Sequence, residues 1–157
     1  MTRTRDANGL KYRKLSWRER FKGRFKYKYE LVERYSKRIL VKMPPGSGER
    51  AIGPGGYVEL HNLPNPRECL MVLNPGYQCD GCSGPTIDRT VNIRAGFLHD
   101  GGYQCSRERL MDFSYVGVID KLFRAVLIED GMWVWLARRY FQAVNNDIIH
   151  NLCARPK

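Results

Sequence analysis

His99, Asp100 and Tyr103 fall within five consecutive residues of the stretch RAGFLHDGGYQ (94–104). Imidazole and carboxylate are the side chains that move protons or hold cations near neutral pH, so their spacing is informative. In a helix, Ala95, His99 and Tyr103 recur at i, i+4 and i+8 and share one face. Downstream, Asp120 stands beside Ile119 and one turn before Phe123, at the border of an apolar stripe. A carboxylate there needs a partner, because unpaired burial costs several kcal/mol. A short link joins the two helices, so they are expected to pack antiparallel, with His99 meeting Asp120 across the interface. Such a pair orients the ring, fixes its tautomer and raises its basicity, leaving the other nitrogen to take a proton from water. The plainer alternative is a satisfied polar network between packed helices.

Asp100 points about 100° further round the helix, toward the Gly-rich loop at 76–84. Loop carbonyls with one or two carboxylates form an oxygen-only site, which suits calcium. The same loop holds Cys79-x-x-Cys82, half of a zinc site that His99 or Cys105 would complete. His99 cannot serve both zinc and Asp120, so these readings exclude each other. Otherwise the five cysteines, Cys69, Cys79, Cys82, Cys105 and Cys153, are thiols in loop and core, an odd count being unsuited to a complete disulfide framework. His61 and His150 have no partner visible in the sequence, and structural roles are assigned to them.

The elements that must carry these residues follow from periodicity. VNIRAGFLHDGGYQCSRERL reads as a first helix, in which Gly101 and Gly102 each cost about 1 kcal/mol and permit close approach of a neighbour. SYVGVIDKLFRAVLIEDG is a second, with Val116, Ile119, Phe123 and Leu127 on one stripe and Gly131 as its stop. MWVWLARRYFQAVNNDIIHNL is a third. Ahead of them, residues 75–90 form a loop, YVELHNL and ECLMVLN are strands, and PPGSGERAIGPGG (44–56) is a turn-rich connector. Phe25, Tyr27, Tyr29 and Leu31 alternate on one face, giving two strands broken near Glu33 to Ser36. Ser16 with Glu19 marks a capping box for a short helix. The expected fold class is α+β: a small antiparallel β-sheet (25–74), then a three-helix unit (91–157), preceded by a basic arm (1–24).

The chain has 157 residues and a formal charge of +11, one domain by size. The whole excess lies in residues 1–42, with 15 Lys/Arg against 4 Asp/Glu; the remainder carries 12 of each. A basic arm suits polyanions such as nucleic acid, anionic lipid or an acidic protein face, and otherwise serves solubility. Nothing approaches the ~18 apolar residues of a membrane span, and no apolar signal segment opens the chain, so cytosolic synthesis is expected. GMWVW (131–135) suits a membrane-facing rim, or, as the preferred reading, a core or subunit contact.

Loop, His-Asp helix and second-helix aspartate in this order resemble the phospholipase A₂ superfamily. There a calcium loop precedes a helix bearing His-Asp-x-x-Tyr, and an antiparallel second helix supplies an aspartate to the histidine. YQCDGCSG (77–84) is similar to that loop, HDGGY (99–103) has the His, Asp and Tyr at matching spacing, and IDKLF (119–123) resembles the second-helix segment. The stretch from LNPGYQCDGCSGP to FLHDGGYQ also resembles a family of small bacteriophage proteins of unassigned function. The resemblance implies a phospholipase A₂-like three-helix unit and calcium-dependent hydrolysis of phospholipid esters. His99 would be the base, oriented by Asp120, with Tyr103 hydrogen-bonded to Asp120. Asp100 and carbonyls of residues 79–84, among them Cys79, Gly81 and Gly84, would hold calcium, with Asp80 or Asp88 adding a ligand. It also implies a phage-encoded virion component, made in the host cytoplasm, sitting beside other virion proteins and acting on a phospholipid membrane. Two other classes stay open: a non-enzymatic structural protein of the particle docked through the arm, and a nucleic-acid-binding protein using residues 1–42.

Overall fold

Asn8 and Gly9 both take positive φ, 48° and 84°, and close a two-residue hairpin in which Ala7 faces Leu10. Asn-Gly is the pair that such a turn favours, because its twist matches that of the flanking strands. The structure, a computed structural model, describes residues 3–22, 27–81 and 90–156. The hairpin strands β1 (Thr4–Ala7) and β2 (Leu10–Lys14) are joined by β3 (Tyr29–Leu31) and β8 (Gln78–Cys79) in one antiparallel sheet, in the order β1-β2-β3-β8. Ala7, Leu10, Tyr12 and Leu15 are buried. Residues 4–15 are therefore part of the domain's core, not an arm ahead of it. Part of their charge is also spent internally: Lys11 meets Glu33 at 2.9 Å, and Arg13 meets Glu19 at 2.7 Å and Glu30 at 2.8 Å. Helix α1 (Trp17–Lys22) starts from the expected capping box, with Ser16 N–H and Oγ both donating to Glu19 Oε2 at 2.8 and 2.7 Å. Phe25 lies outside the described residues.

Between Leu31 and Tyr35 the chain leaves this sheet for another. β4 (Tyr35–Ile39), β5 (Arg50–Ile52), β6 (Val58–Asn62) and β7 (Cys69–Leu73) form a second antiparallel sheet, ordered β4-β7-β6-β5. Two sheets thus replace the single one expected. The connector 44–56 contributes the edge strand β5, and the loop 75–90 contributes β8. Both are too short for alternation to reveal.

Helix α2 (Thr90–Arg107) is buried on nearly all sides and packs against β1, β6, β8 and the following helix α3 (Val116–Glu129). Two glycines allow this. A Cβ on Gly101 would lie 2.6 Å from Leu73 Cδ2, and one on Gly102 would lie 2.6–2.9 Å from three carbons of Ile119. Gly102→Ala is expected to destabilise the fold by about 1–3 kcal/mol through overpacking against a β-branched side chain, despite alanine's better helix propensity. Gly101→Ala meets only one terminal methyl of Leu73 this closely and should cost less. Urea unfolding of the two variants checks the order.

The third helix stops earlier than its apolar pattern suggests. Helix α4 (Val134–Val144) ends at Asn145, with φ −84° and ψ 68°. Asn146 then caps a new turn, its Oδ1 accepting the Ile149 N–H at 2.8 Å. This turn, α5 (Asp147–Ile149), continues as a π-helical turn over His150–Ala154. Asparagine side chains offer the backbone such local alternatives to helix. The change of direction brings His150 back toward α2 and α3.

Candidate functional site

Asp120 is fully buried on the inner face of α3, between Ile119 and Phe123. Its Oδ1 contacts His99 Nε2 at 2.9 Å and accepts the Tyr103 hydroxyl at 2.9 Å. Its Oδ2 contacts His150 Nε2 at 2.6 Å. A carboxylate accepts only, so each ring must carry its proton on Nε2, and in the neutral ring Nδ1 holds the lone pair. His99 and Tyr103 come from α2 one turn apart, as their spacing dictates, and their rings lie 4.1 Å apart. Phe123 covers the other side of His99 at 5.0 Å. Burial, and after it the Asp120 charge, push the Tyr103 hydroxyl well above its ordinary value, so it remains a donor at every working pH. The Tyr103 oxygen also lies 3.5 Å from the Val144 carbonyl at the end of α4.

His150 is the functional neighbour that sequence reasoning missed. Its partner is distant in sequence, and a straight third helix would have carried it elsewhere. The Asn-Asn break was the only local signal. His61 is likewise partnered, to Glu59 Oε2 at 2.6 Å. Burial works to raise the Glu59 carboxyl, but His61, Asn74, Arg50 and Arg34 together outweigh it and hold it below its usual range. That cluster ties β6 to its surroundings and fits the structural role assigned to His61.

Asp100 faces away from this network, toward β8, as its helical phase predicts. Its side chain is hydrogen-bonded to Asp80. Burial first, and then the Asp80 charge, raise the Asp100 carboxyl well above its ordinary 3.8, with Arg107 opposing. The Asp80 backbone also hydrogen-bonds to Asp100 and works against this rise; a bound cation would be another way to relieve the repulsion. The pair therefore fits part of an oxygen-only cation site. Gly81 follows at φ 86° and is buried. The Cys79 carbonyl, however, accepts the Lys28 N–H at 3.0 Å within the first sheet, so it is committed to the ladder and a poor ligand. Gly84, Asp88 and Cys82 lie outside the described residues. Among the described residues no group of three or more His, Cys, Asp or Glu side chains is placed to hold a metal, leaving backbone oxygens to complete any such shell.

Of the residues expected to complete a zinc site, His99 gives Nε2 to Asp120 and keeps Nδ1, while burial pushes the Cys105 thiol up to about 12, away from the thiolate that zinc binds.

A carboxyl group whose folded pKa lies above its unfolded value binds more protons folded than unfolded. Its contribution therefore favours folding in acid and is lost as pH rises from the unfolded value toward the folded one. Asp100→Asn keeps a hydrogen bond to Asp80 but removes the repulsion. It is expected to raise the melting temperature at neutral pH in chelator and to flatten the fall in stability between acidic and neutral pH. Calcium should stabilise the native chain and not the variant; thermal unfolding at two pH values checks all three.

No helix of the described residues is long and apolar enough to cross a membrane. No protein-family model matches the chain, and no curated protein and no solved structure matches it significantly.

Proposed function

We propose that the chain is a phospholipase A₂-like esterase whose base is His99, positioned by Asp120 and Tyr103. The observation that carries this reading is the doubly held Asp120 Oδ1, which anchors His99 Nε2 and leaves Nδ1 as the basic nitrogen. One residue on, the Asp80–Asp100 pair would give oxygens to a divalent cation, whose charge would offset the burial and repulsion that raise the Asp100 carboxyl. His99 Nδ1 takes a proton from water as its oxygen bonds to the ester carbonyl carbon. The buried carboxylate stabilises the imidazolium that results. As the ester C–O bond breaks, the imidazolium returns the proton to the leaving oxygen, releasing a fatty acid and a lysophospholipid. Asp80 and Asp100, with backbone carbonyls of the loop that include Gly81 and Gly84, would hold calcium, which when bound supplies a Lewis acid for the ester carbonyl.

The phospholipid substrate and the virion setting, with other particle proteins and host membrane as partners, rest on the resemblance of the HDGGY helix and its loop. A second reading is supported by the closure of the network itself. His99, Tyr103 and His150 all terminate on one buried carboxylate, as they would in a structural protein of the particle that uses these helices as scaffold. Fatty-acid release from phospholipid vesicles, with calcium or with chelator, separates the two. Calcium-dependent release supports the esterase; its absence, in a protein shown to be folded, leaves the scaffold.

A further inference from the structure

Helix α4 gives only Ala137 wholly to the core. At its start Trp133, Val134 and Trp135 are 71, 57 and 59% exposed, while Met132 just before them is buried. Of the core or subunit contact expected for GMWVW, the core contact holds for Met132, and the tryptophans lie outside the core. Their rings lie 6.1 Å apart and project together from the corner between α3 and α4. Three adjacent large apolar side chains in water are costly, so this exposure calls for a function.

Beside this corner runs an open groove lined by Arg124, Val134, Trp135, Arg138, Arg139 and Gln142, with no carboxylate. Among the described residues, none of the three arginines takes part in an ion pair. Arg124 lies 6.0 Å over the Phe141 ring, and its Nε is buried without a hydrogen-bond partner. On the neighbouring end of α3 the cations do have partners: Lys37 and Arg94 share Glu129, and Arg94 also takes Asp130. The groove is thus a cluster of uncompensated guanidinium groups set against an apolar wedge.

We propose that this corner seats the protein on an anionic phospholipid surface. Trp133, Val134 and Trp135 enter the boundary between headgroups and acyl chains, where tryptophan's amphipathic ring is favoured. Arg124, Arg138 and Arg139 meet the lipid phosphates, whose charge and geometry suit guanidinium. A nucleic-acid strand fits less well. Stacking needs rings spaced along a track of cations, whereas here an aliphatic residue stands between two adjoining rings and the cations gather on one side. Binding at this corner requires neither His99 nor calcium, so it stands or falls separately from ester hydrolysis. It would nevertheless serve it, since α4 spans about 15 Å from the corner to the Val144 carbonyl beside Tyr103.

The test is sedimentation with vesicles of phosphatidylcholine alone or mixed with phosphatidylglycerol, in chelator throughout. A Trp17→Phe background leaves Trp133 and Trp135 as the only tryptophans, so their emission reports insertion directly. Binding is expected with the anionic vesicles only, with a blue shift in emission. The paired Trp133→Ala, Trp135→Ala variant and the paired Arg138→Glu, Arg139→Glu variant should each weaken it about tenfold or more. Equal binding by these exposed-residue variants would overturn the proposal, as would no blue shift. Tighter binding of a single-stranded oligonucleotide, lost with the same substitutions, would overturn it in favour of nucleic acid.

Discussion

Asp120→Ala is expected to be the most destabilising single substitution in the helical unit, costing about 3–5 kcal/mol. The carboxylate is wholly buried and receives His99, Tyr103 and His150. Removing it strands three donors that no water reaches readily, and each buried unsatisfied group costs about 1–3 kcal/mol. His150, the most exposed of the three, recovers part of its loss by meeting solvent. Asp120→Asn should cost less, because its amide oxygen replaces one acceptor, but its NH₂ then opposes a donor. One imidazole must change tautomer or break its bond. Denaturant unfolding measures both; an alanine variant within about 0.5 kcal/mol of the native chain, the range of an ordinary surface change, would mean the network is not holding the helices.

The second large effect is catalytic. His99→Ala is expected to lower kcat for ester hydrolysis by about 10²–10⁴-fold, the usual contribution of a positioned base. His99→Gln keeps much of the volume and a donor toward Asp120, so it should be as inactive while unfolding nearer to the native midpoint. His150→Ala should lower kcat about tenfold or less with KM unchanged, because His150 reaches His99 only indirectly, through Asp120 Oδ2 and an edge-on contact with Tyr103. The two imidazoles are chemically alike, both bound through Nε2. Reversed effects would make His150 the base.

The His99–Asp120–Tyr103 grouping was legible because two independent periodicities converge on it. Residues 95, 99 and 103 share a helical face, and Ile119 and Phe123 frame Asp120 on a stripe that is in fact buried. The capping box at Ser16 and Glu19 was legible for the same reason: both ends of the interaction sit in one short motif. The first hairpin was also written locally, in Asn8-Gly9, but its flanks are so rich in Arg and Lys that composition spoke for an arm. Within β1 and β2 only Ala7, Leu10 and Tyr12 are buried, and the charged residues between them alternate to the opposite face. The division into two sheets was not legible, since it turns on β3 pairing with the distant two-residue β8 and β4 with β7. His150 was hidden for a related reason. Apolar periodicity runs on across Asn145-Asn146, while the side chains that end the helix there do so by local hydrogen bonding that no periodicity encodes.

The pairing of Asp80 with Asp100 lies between these cases. The helical phase of Asp100 pointed to the loop, yet which carboxylate met it depended on where β8 ended. A one-residue shift in the register of β8 would have turned Asp80 to the other face.

The most direct measurement is fatty-acid release from phospholipid vesicles in calcium by the native chain and by His99→Gln, with folding of both verified by thermal unfolding. Release by the native chain that chelator stops, and that the variant lacks, is the expected result. Equal release by the two would contradict His99 as the base. No release from a native chain that calcium nonetheless stabilises would contradict hydrolysis and leave the buried network as scaffold.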